Sequence, residues 1–210
     1  CTNVQVALAG YGHARAWCAA EGEIIEVKPT LPGVWHTLAL PGGVEAPYWL
    51  GSASVCPRAT LGKPFRRGQT ISCLGEPLSA WPKGIAERCP SQPREHIQDP
   101  IRIWPGPQWA LFPPEAQDLF ISQTWRVSRH CDRSGYRLEG TPIAVPPGSL
   151  ISEPVRIGSI QVPPDGQPII CLYDGPTVGG YAKIAVVDPD DMDRLVQNRP
   201  GSQLLFRMMS

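Results

Sequence analysis

The stretch WRVSRHCDRSGYRLEG, residues 125–140, sets His130, Cys131 and Asp132 side by side. These are the residue types of a base, a nucleophile and an orienting acid. A triad needs its members in one hydrogen-bonded line, which three consecutive residues do not supply. On a strand, His130 and Asp132 share a face and Cys131 takes the other. The DRSG segment reads better as a type I turn, with Asp132 first, Gly135 last, and Arg133 and Ser134 at the tip. The chain then returns as YRLEG, with Tyr136 and Leu138 on one face and Arg137 and Glu139 on the other. Two guanidinium groups and an acid near one turn suit a carboxylate or phosphate. Such a cluster is more often a surface salt-bridge network.

Two further segments carry polar side chains into β-rich surroundings. IGSIQVPPDGQPIICLYD, residues 157–174, predicts a hairpin turning at Asp165 and Gly166. On its first strand Ser159 and Gln161 share a face, opposite Ile160 and Val162, so Gln161 is either exposed on an open sheet or aimed into a polar cavity. GPTVGGYAK, residues 175–183, resembles a phosphate loop superficially. It lacks the Gly-Lys-Ser/Thr order of a Walker motif. Its glycines either let backbone N–H groups approach an anion or simply permit a tight turn.

The elements that must position these residues are mostly short β-rich runs bounded by Gly and Pro: NVQVALAG, EIIEVKP, VWHTLALPGG, QTISCLG, IRIWPG, TWRVS, YRLEG, IGSIQV, PIICLYD and AKIAVV. That pattern predicts an all-β barrel or sandwich. Helix signals are confined to PPEAQDLFIS (113–122) and DPDDMDRLVQNRPG (188–201), where Asp188 is placed to cap and Pro189 fits the first turn. A Pro-rich polar stretch between Glu76 and Pro100 is long for a structureless loop and reads as a linker or interface arm. The expected organisation is therefore a first β subdomain over 1–75, a linker over 76–100 and a second β subdomain over 101–210.

The 210 residues are 42% hydrophobic, enough for a core, and carry a formal net charge of +0 with no basic block. This argues against nucleic acid or an anionic membrane surface as a partner. The apolar runs fall far short of the ~20 residues needed to span a bilayer. The seven cysteines form no C-x-x-C pair, so a metal site is not expected and the set reads as free thiols of a reducing, cytoplasmic compartment.

VSRHCDRSGYRLEG, followed by SEPVRIGSIQVPPDGQPIICLYDGPTVGGYAKIA, resembles the carboxyltransferase-type family that includes the second subunit of allophanate hydrolase, KipA and the C subunit of 5-oxoprolinase. Upstream, IRIWPGPQWALFPPEAQDLF, LALPGGVEAPYWLGSAS and FRRGQTISCLG also fit, so the resemblance spans nearly the whole chain. Cys131 stands where Ser is usual, Ser134 where Met is usual, and Ala182 where Pro is common. The family's T-V-Q-D-x-G-R-x-G-Y-type segment is not found, so the chain reads as the family without its N-terminal portion.

The resemblance implies a mainly β fold of two cyclophilin-like β-barrel subdomains with a few short helices. It implies one component of an ATP-dependent 5-oxoprolinase, which opens the lactam of 5-oxoproline to glutamate. Two other components would work with it, one of them KipI-like, and ATP would be used with those partners. The alternatives are the carboxyltransferase component of a biotin-dependent urea carboxylase, or a non-catalytic KipA-like regulator that binds a histidine-kinase inhibitor. The matching motifs point to Asp132, Arg133 and Lys183 as catalytic. They point to Tyr136, Arg137, Gln161, Asp165, Gln167, Thr177, Gly179, Gly180 and Tyr181 as contacts for a small amide or lactam.

Overall fold

The computed structural model describes residues 4–10, 13–28, 33–75, 99–148 and 150–209, and within these the chain forms two units. The first comprises Cys1–Leu31 and His36–Gln92, the second Pro32–Trp35 and Pro93–Ser210. The Pro-rich stretch from Glu76 lies outside the described residues as far as 98.

In the first unit, β1 (Val4–Gly10), β2 (His13–Ala19) and β3 (His36–Ala39) form an antiparallel sheet in the order β2-β1-β3. Val6 and Leu8 alternate onto its buried side. Beyond β3 the described chain makes isolated bridges, Val44 to Cys73, Trp49 to Ser52 and Cys56 to Leu61. The expected strand over 23–28 is absent, and 69–75 contributes a single bridge. Pro41, Pro47, Pro57 and Pro64, with glycines between them, interrupt each run before a ladder can extend, because proline cannot donate to one. Two cyclophilin-like barrels are therefore not seen: one barrel-like sheet is present among the described residues, and it belongs to the second unit.

The second unit contains β4 (Ile101–Pro105), β5 (Trp125–Asp132), β6 (Gly135–Glu139), β7 (Glu153–Pro154), β8 (Ser159–Val162), β9 (Ile169–Cys171), β10 (Val178–Gly179), β11 (Ala182–Val187), β12 (Gln203–Leu204) and β13 (Phe206–Met208). Eight of them form one sheet in the order β12-β5-β6-β9-β8-β11-β4-β13. Its two edges, β12 and β13, are separated by Leu205 alone, whose carbonyl accepts from Ile101 N at 2.8 Å. The sheet thus bends round until its ends meet, a near-closed barrel of the size whose interior side chains fill. Ile103, Leu138, Ile160, Ile170 and Ile184 fill it, each fully buried. Helix α1 (Pro114–Ser122) presents Ala116 and Phe120 to this core, and Phe120 stacks on Phe206 with ring centroids 5.0 Å apart. Helix α2 (Met192–Leu195) is shorter than its sequence pattern predicts. The Asn198 amide turns back to donate to the Arg194 and Leu195 carbonyls, at 3.2 and 3.1 Å, and so ends it.

Every residue of β8 and β11 is buried, on both faces. Ile160, Val162, Ala182 and Ile184 face the core. The other face is covered by the segment around Gln108 and by a separate two-stranded ribbon of β7 with β10. No helix among the described residues is long and apolar enough to cross a membrane.

Candidate functional site

The covered outer face of β8 and β11 collects polar side chains where apolar ones would be expected. Gln161 lies opposite Lys183 in the β8–β11 register. Both are buried, at 4% and 3% exposure. A buried ammonium requires an acceptor, and Lys183 Nζ has one in Glu153 Oε1. The same oxygen accepts from Gln108 Nε2 at 2.7 Å, while Gln108 Oε1 accepts from the Lys183 backbone N–H at 3.0 Å. Gln108 reaches β11 because the chain at Gly106 runs against it: a Cβ there would stand 2.2 Å from the Lys183 carbonyl oxygen. Hydrogen bonds from Lys183 and then Gln108, with the Lys183 charge, hold the Glu153 carboxyl below its usual range against some desolvation.

Gln161 is only half satisfied. Its Oε1 accepts from Cys171 Sγ at 3.5 Å, but its Nε2 has no hydrogen-bond partner among the described residues. Ser159 Oγ, two residues back on the same face, is likewise buried without a partner among them. Burial pushes the Cys171 thiol up to about 11, with the nearby Lys183 charge drawing it partly back. The site therefore offers a cation and a fixed neutral donor on adjoining strands, the donor set that polarises a carbonyl or holds a carboxylate.

The opening stretch turns where the sequence places the turn, at Arg133 and Ser134. Asp132 pairs with Gly135 at the end of the β5–β6 hairpin, and Asp132 Oδ1 accepts from Ser134 N at 2.8 Å. Cys131 Sγ is turned to the Ser128 carbonyl at 2.9 Å, and burial raises its thiol. His130 and Asp132 are exposed. Arg133 and Arg137 are not joined in one clamp: Arg133 Nε pairs with Asp174 at 3.0 Å, and Arg137 pairs with Asp165. Arg133 also borders an apolar cavity of about 200 Å³, lined by Trp35, Leu172, Tyr173 and Val196.

The remaining candidates divide between structure and surface. Tyr136 is in the core, its hydroxyl donating to the Val196 carbonyl at 2.8 Å. Gln167 clamps the hairpin: its amide donates to the Gly140 carbonyl and accepts from the Gly140 N–H, both at 3.0 Å. Asp165 Oδ1 caps the Gln167 N–H at 3.0 Å. Thr177 is exposed and accepts through its carbonyl from Val155 N at 2.8 Å. Gly180 and Tyr181 border a second cavity of about 260 Å³ with Val145, Leu150 and Val162. Gly179 lies on the ribbon above Gln161, where a Cβ would come within 2.7 Å of Nε2. Glu153, Gln108 and Cys171 also belong to the site; they lie within the stretches that match the family, but no spacing or turn signal singles them out. Gln108 and Glu153 stand 75 and 30 residues from Lys183, and only the tertiary fold joins them. Among the described residues no group of three or more His, Cys, Asp or Glu side chains is arranged to hold a metal ion.

Comparison with known proteins agrees with this architecture. The chain is 31% identical over 194 residues to the C subunit of the 5-oxoprolinase of Haemophilus influenzae, covering 90% of this chain and 60% of that protein. It thus spans about three fifths of the length of that curated relative. The urea amidolyase of Saccharomyces cerevisiae is 26% identical over 212 residues, covering 90% of this chain and 11% of its own length. The crystal structure of TTHA0988 superposes with a TM-score of 0.79 at 35% identity, covering 98% of this chain and 42% of that one. The family described as carboxyltransferase domain, subdomain A and B, matches residues 2–208, and the chain belongs to it.

Proposed function

We propose that the chain acts in an ATP-dependent 5-oxoprolinase, contributing the groups that hold and polarise 5-oxoproline while partner subunits, one of them KipI-like, complete the reaction. The observation that carries this reading is the buried pairing of Lys183 with the half-satisfied Gln161 on adjoining strands. 5-Oxoproline has a carboxylate and a lactam carbonyl, both acceptors of weak reactivity. Opening it breaks the amide C–N bond, with water supplying hydroxyl to the carbonyl carbon and a proton to the nitrogen. Fixed donors aimed at the oxygen that gains charge contribute most to such a step. Asp132 and Asp165 are the carboxylates in the matching motifs that could hold or move the proton.

Among the described residues, the Gly-rich segment forms no triphosphate cradle. In 175–183 the Lys183 ammonium is buried against Glu153 under the β7–β10 ribbon, and the segment opens no helix. ATP is therefore assigned to the partner subunits. Kinship with the yeast urea amidolyase supports a second reading, carboxyl transfer to urea with biotin supplied by another domain.

One assay separates the readings. The purified chain, combined with its partner subunits, should turn over ATP in the presence of 5-oxoproline and release glutamate. Neither the chain nor the partners should do so separately. Activity with urea and a carboxybiotin donor instead of 5-oxoproline would replace the first reading by the second.

A further inference from the structure

Glu153 sits on a two-residue strand that pairs with a two-residue partner and joins no ladder of the eight-stranded sheet. Its carboxylate nonetheless reaches inward to a lysine only 3% exposed, while its own side chain remains 39% exposed. The other strand of the ribbon lies on Gln161. A Cβ at Gly179 would stand 2.7 Å from Gln161 Nε2 and 3.1 Å from Val155 Cγ2, so the absence of a side chain lets the ribbon close. The ribbon thus covers two buried donors, supplies an acceptor to one and leaves the other with none among the described residues.

We propose that the Glu153 carboxylate stands in for a substrate carboxylate: the β7–β10 ribbon is a clasp that opens when a small carboxylate displaces Glu153 from Lys183, and the incoming group takes the Gln161 amide as well. The exchange is favoured by an acceptor that satisfies both donors, because a buried donor left unpaired is costly. It is permitted because Glu153 is exposed enough to regain water once released. A carboxylate has two oxygens and so can serve two donors at once. That this carboxylate belongs to 5-oxoproline rests on the function proposed above; the clasp itself does not.

The test reads access to Lys183 rather than turnover. Wild-type chain and the Glu153→Gln variant are treated with N-succinimidyl acetate, and acetylation is followed at Lys183 by peptide mass spectrometry, with exposed Lys63 as the internal reference. Acetylation of Lys183 should be at least tenfold faster in the variant, with Lys63 unchanged. Equal rates at Lys183 would overturn the clasp. Hydrogen exchange on the wild-type chain gives a second measurement should the variant fail to fold. Amides of Glu153, Val155 and 177–179 should exchange at least a hundredfold faster than those of β8 and β11, and equally slow exchange would also overturn it. Adding 5-oxoproline should speed ribbon exchange further. A clasp that opens in the variant but ignores 5-oxoproline stands as a clasp and loses 5-oxoproline as its ligand.

Discussion

Gln161 and Lys183 face each other across the β8–β11 ladder, yet the lysine has an acceptor and the glutamine amide nitrogen has none among the described residues. The asymmetry separates function from stability at one pair of positions. A buried polar atom without a partner costs ~1–3 kcal/mol. Gln161→Leu, similar in size and apolar, should therefore hold or raise the melting temperature while lowering turnover in the reconstituted system. Lys183→Met should lower kcat/KM at least tenfold, because the substrate carboxylate would lose a charge-assisted hydrogen bond of ~1.5–3 kcal/mol. Thermal melts with steady-state assays check both. A Gln161→Leu chain that melts lower and works normally would show the amide to be a structural group.

Arg133 sits at the tip of the β5–β6 hairpin with its side chain 47% exposed, paired with Asp174. An exposed ion pair contributes ~0–1 kcal/mol, so Arg133→Ala should fold nearly as well as the parent chain. Turnover should fall at least tenfold, equivalent to ~1.4 kcal/mol of transition-state stabilisation. Unaltered kinetics would sink a role in chemistry and leave the Asp174 pair as the reason for the arginine.

The β5–β6 turn and the β8–β9 hairpin are legible in the sequence because both are local: turn residues at fixed offsets between alternating apolar runs. Even there a bulge intervenes, since the register shifts between Val127 and Cys131. Ser128 occupies the irregular stretch and donates to Glu139 at 2.6 Å. Strand alternation leaves Gln161 either exposed or aimed into a polar space, and only the ribbon decides between the two. Glu153 lies in a stretch that matches the family, but no periodicity or turn signal singles it out. It is one acid in a loop until β7 pairs with β10 and lays it on Lys183. In the first unit, β-forming runs such as 23–28 promise strands that do not form, because propensity without a neighbouring strand makes no ladder.

The thiols should be slow nucleophiles where they are buried. The Cys171 thiol titrates at about 11 and that of Cys131 is raised by burial, so little thiolate exists at neutral pH. With iodoacetamide at pH ~7.5, of the cysteines among the described residues exposed Cys18 should be labelled first and Cys131 and Cys171 last, with activity of the assembled system retained. Rapid loss of turnover tracking modification of Cys131, with protection by 5-oxoproline, would overturn this.

Asp191 is fully buried between two arginines that tie the start of β4 to α2. Its Oδ1 accepts from Arg102 Nη2 at 2.6 Å, and its Oδ2 from Arg102 N and Arg194 Nη2, both at 2.7 Å. Burial pushes the carboxyl up, but the Arg102 hydrogen bonds and the two guanidinium charges outweigh it, so it titrates below its ordinary value. A lowered folded pKa gives stability that is fully present above the unfolded value of ~3.9 and is lost as pH falls through the folded one. Asp191→Asn removes the buried carboxylate charge from between Arg102 and Arg194 and should cost about 3 kcal/mol or more near neutral pH. Glu139 and Glu153 are also lowered, so the wild-type acid limb is not due to Asp191 alone. The informative quantity is the stability difference between the two chains from denaturant unfolding at successive pH values. It should be constant above about pH 5 and shrink below ~3.9 as the wild-type carboxylate is protonated. A gap that persists undiminished at the lowest pH would mean that packing, rather than charge, holds Asp191 in place.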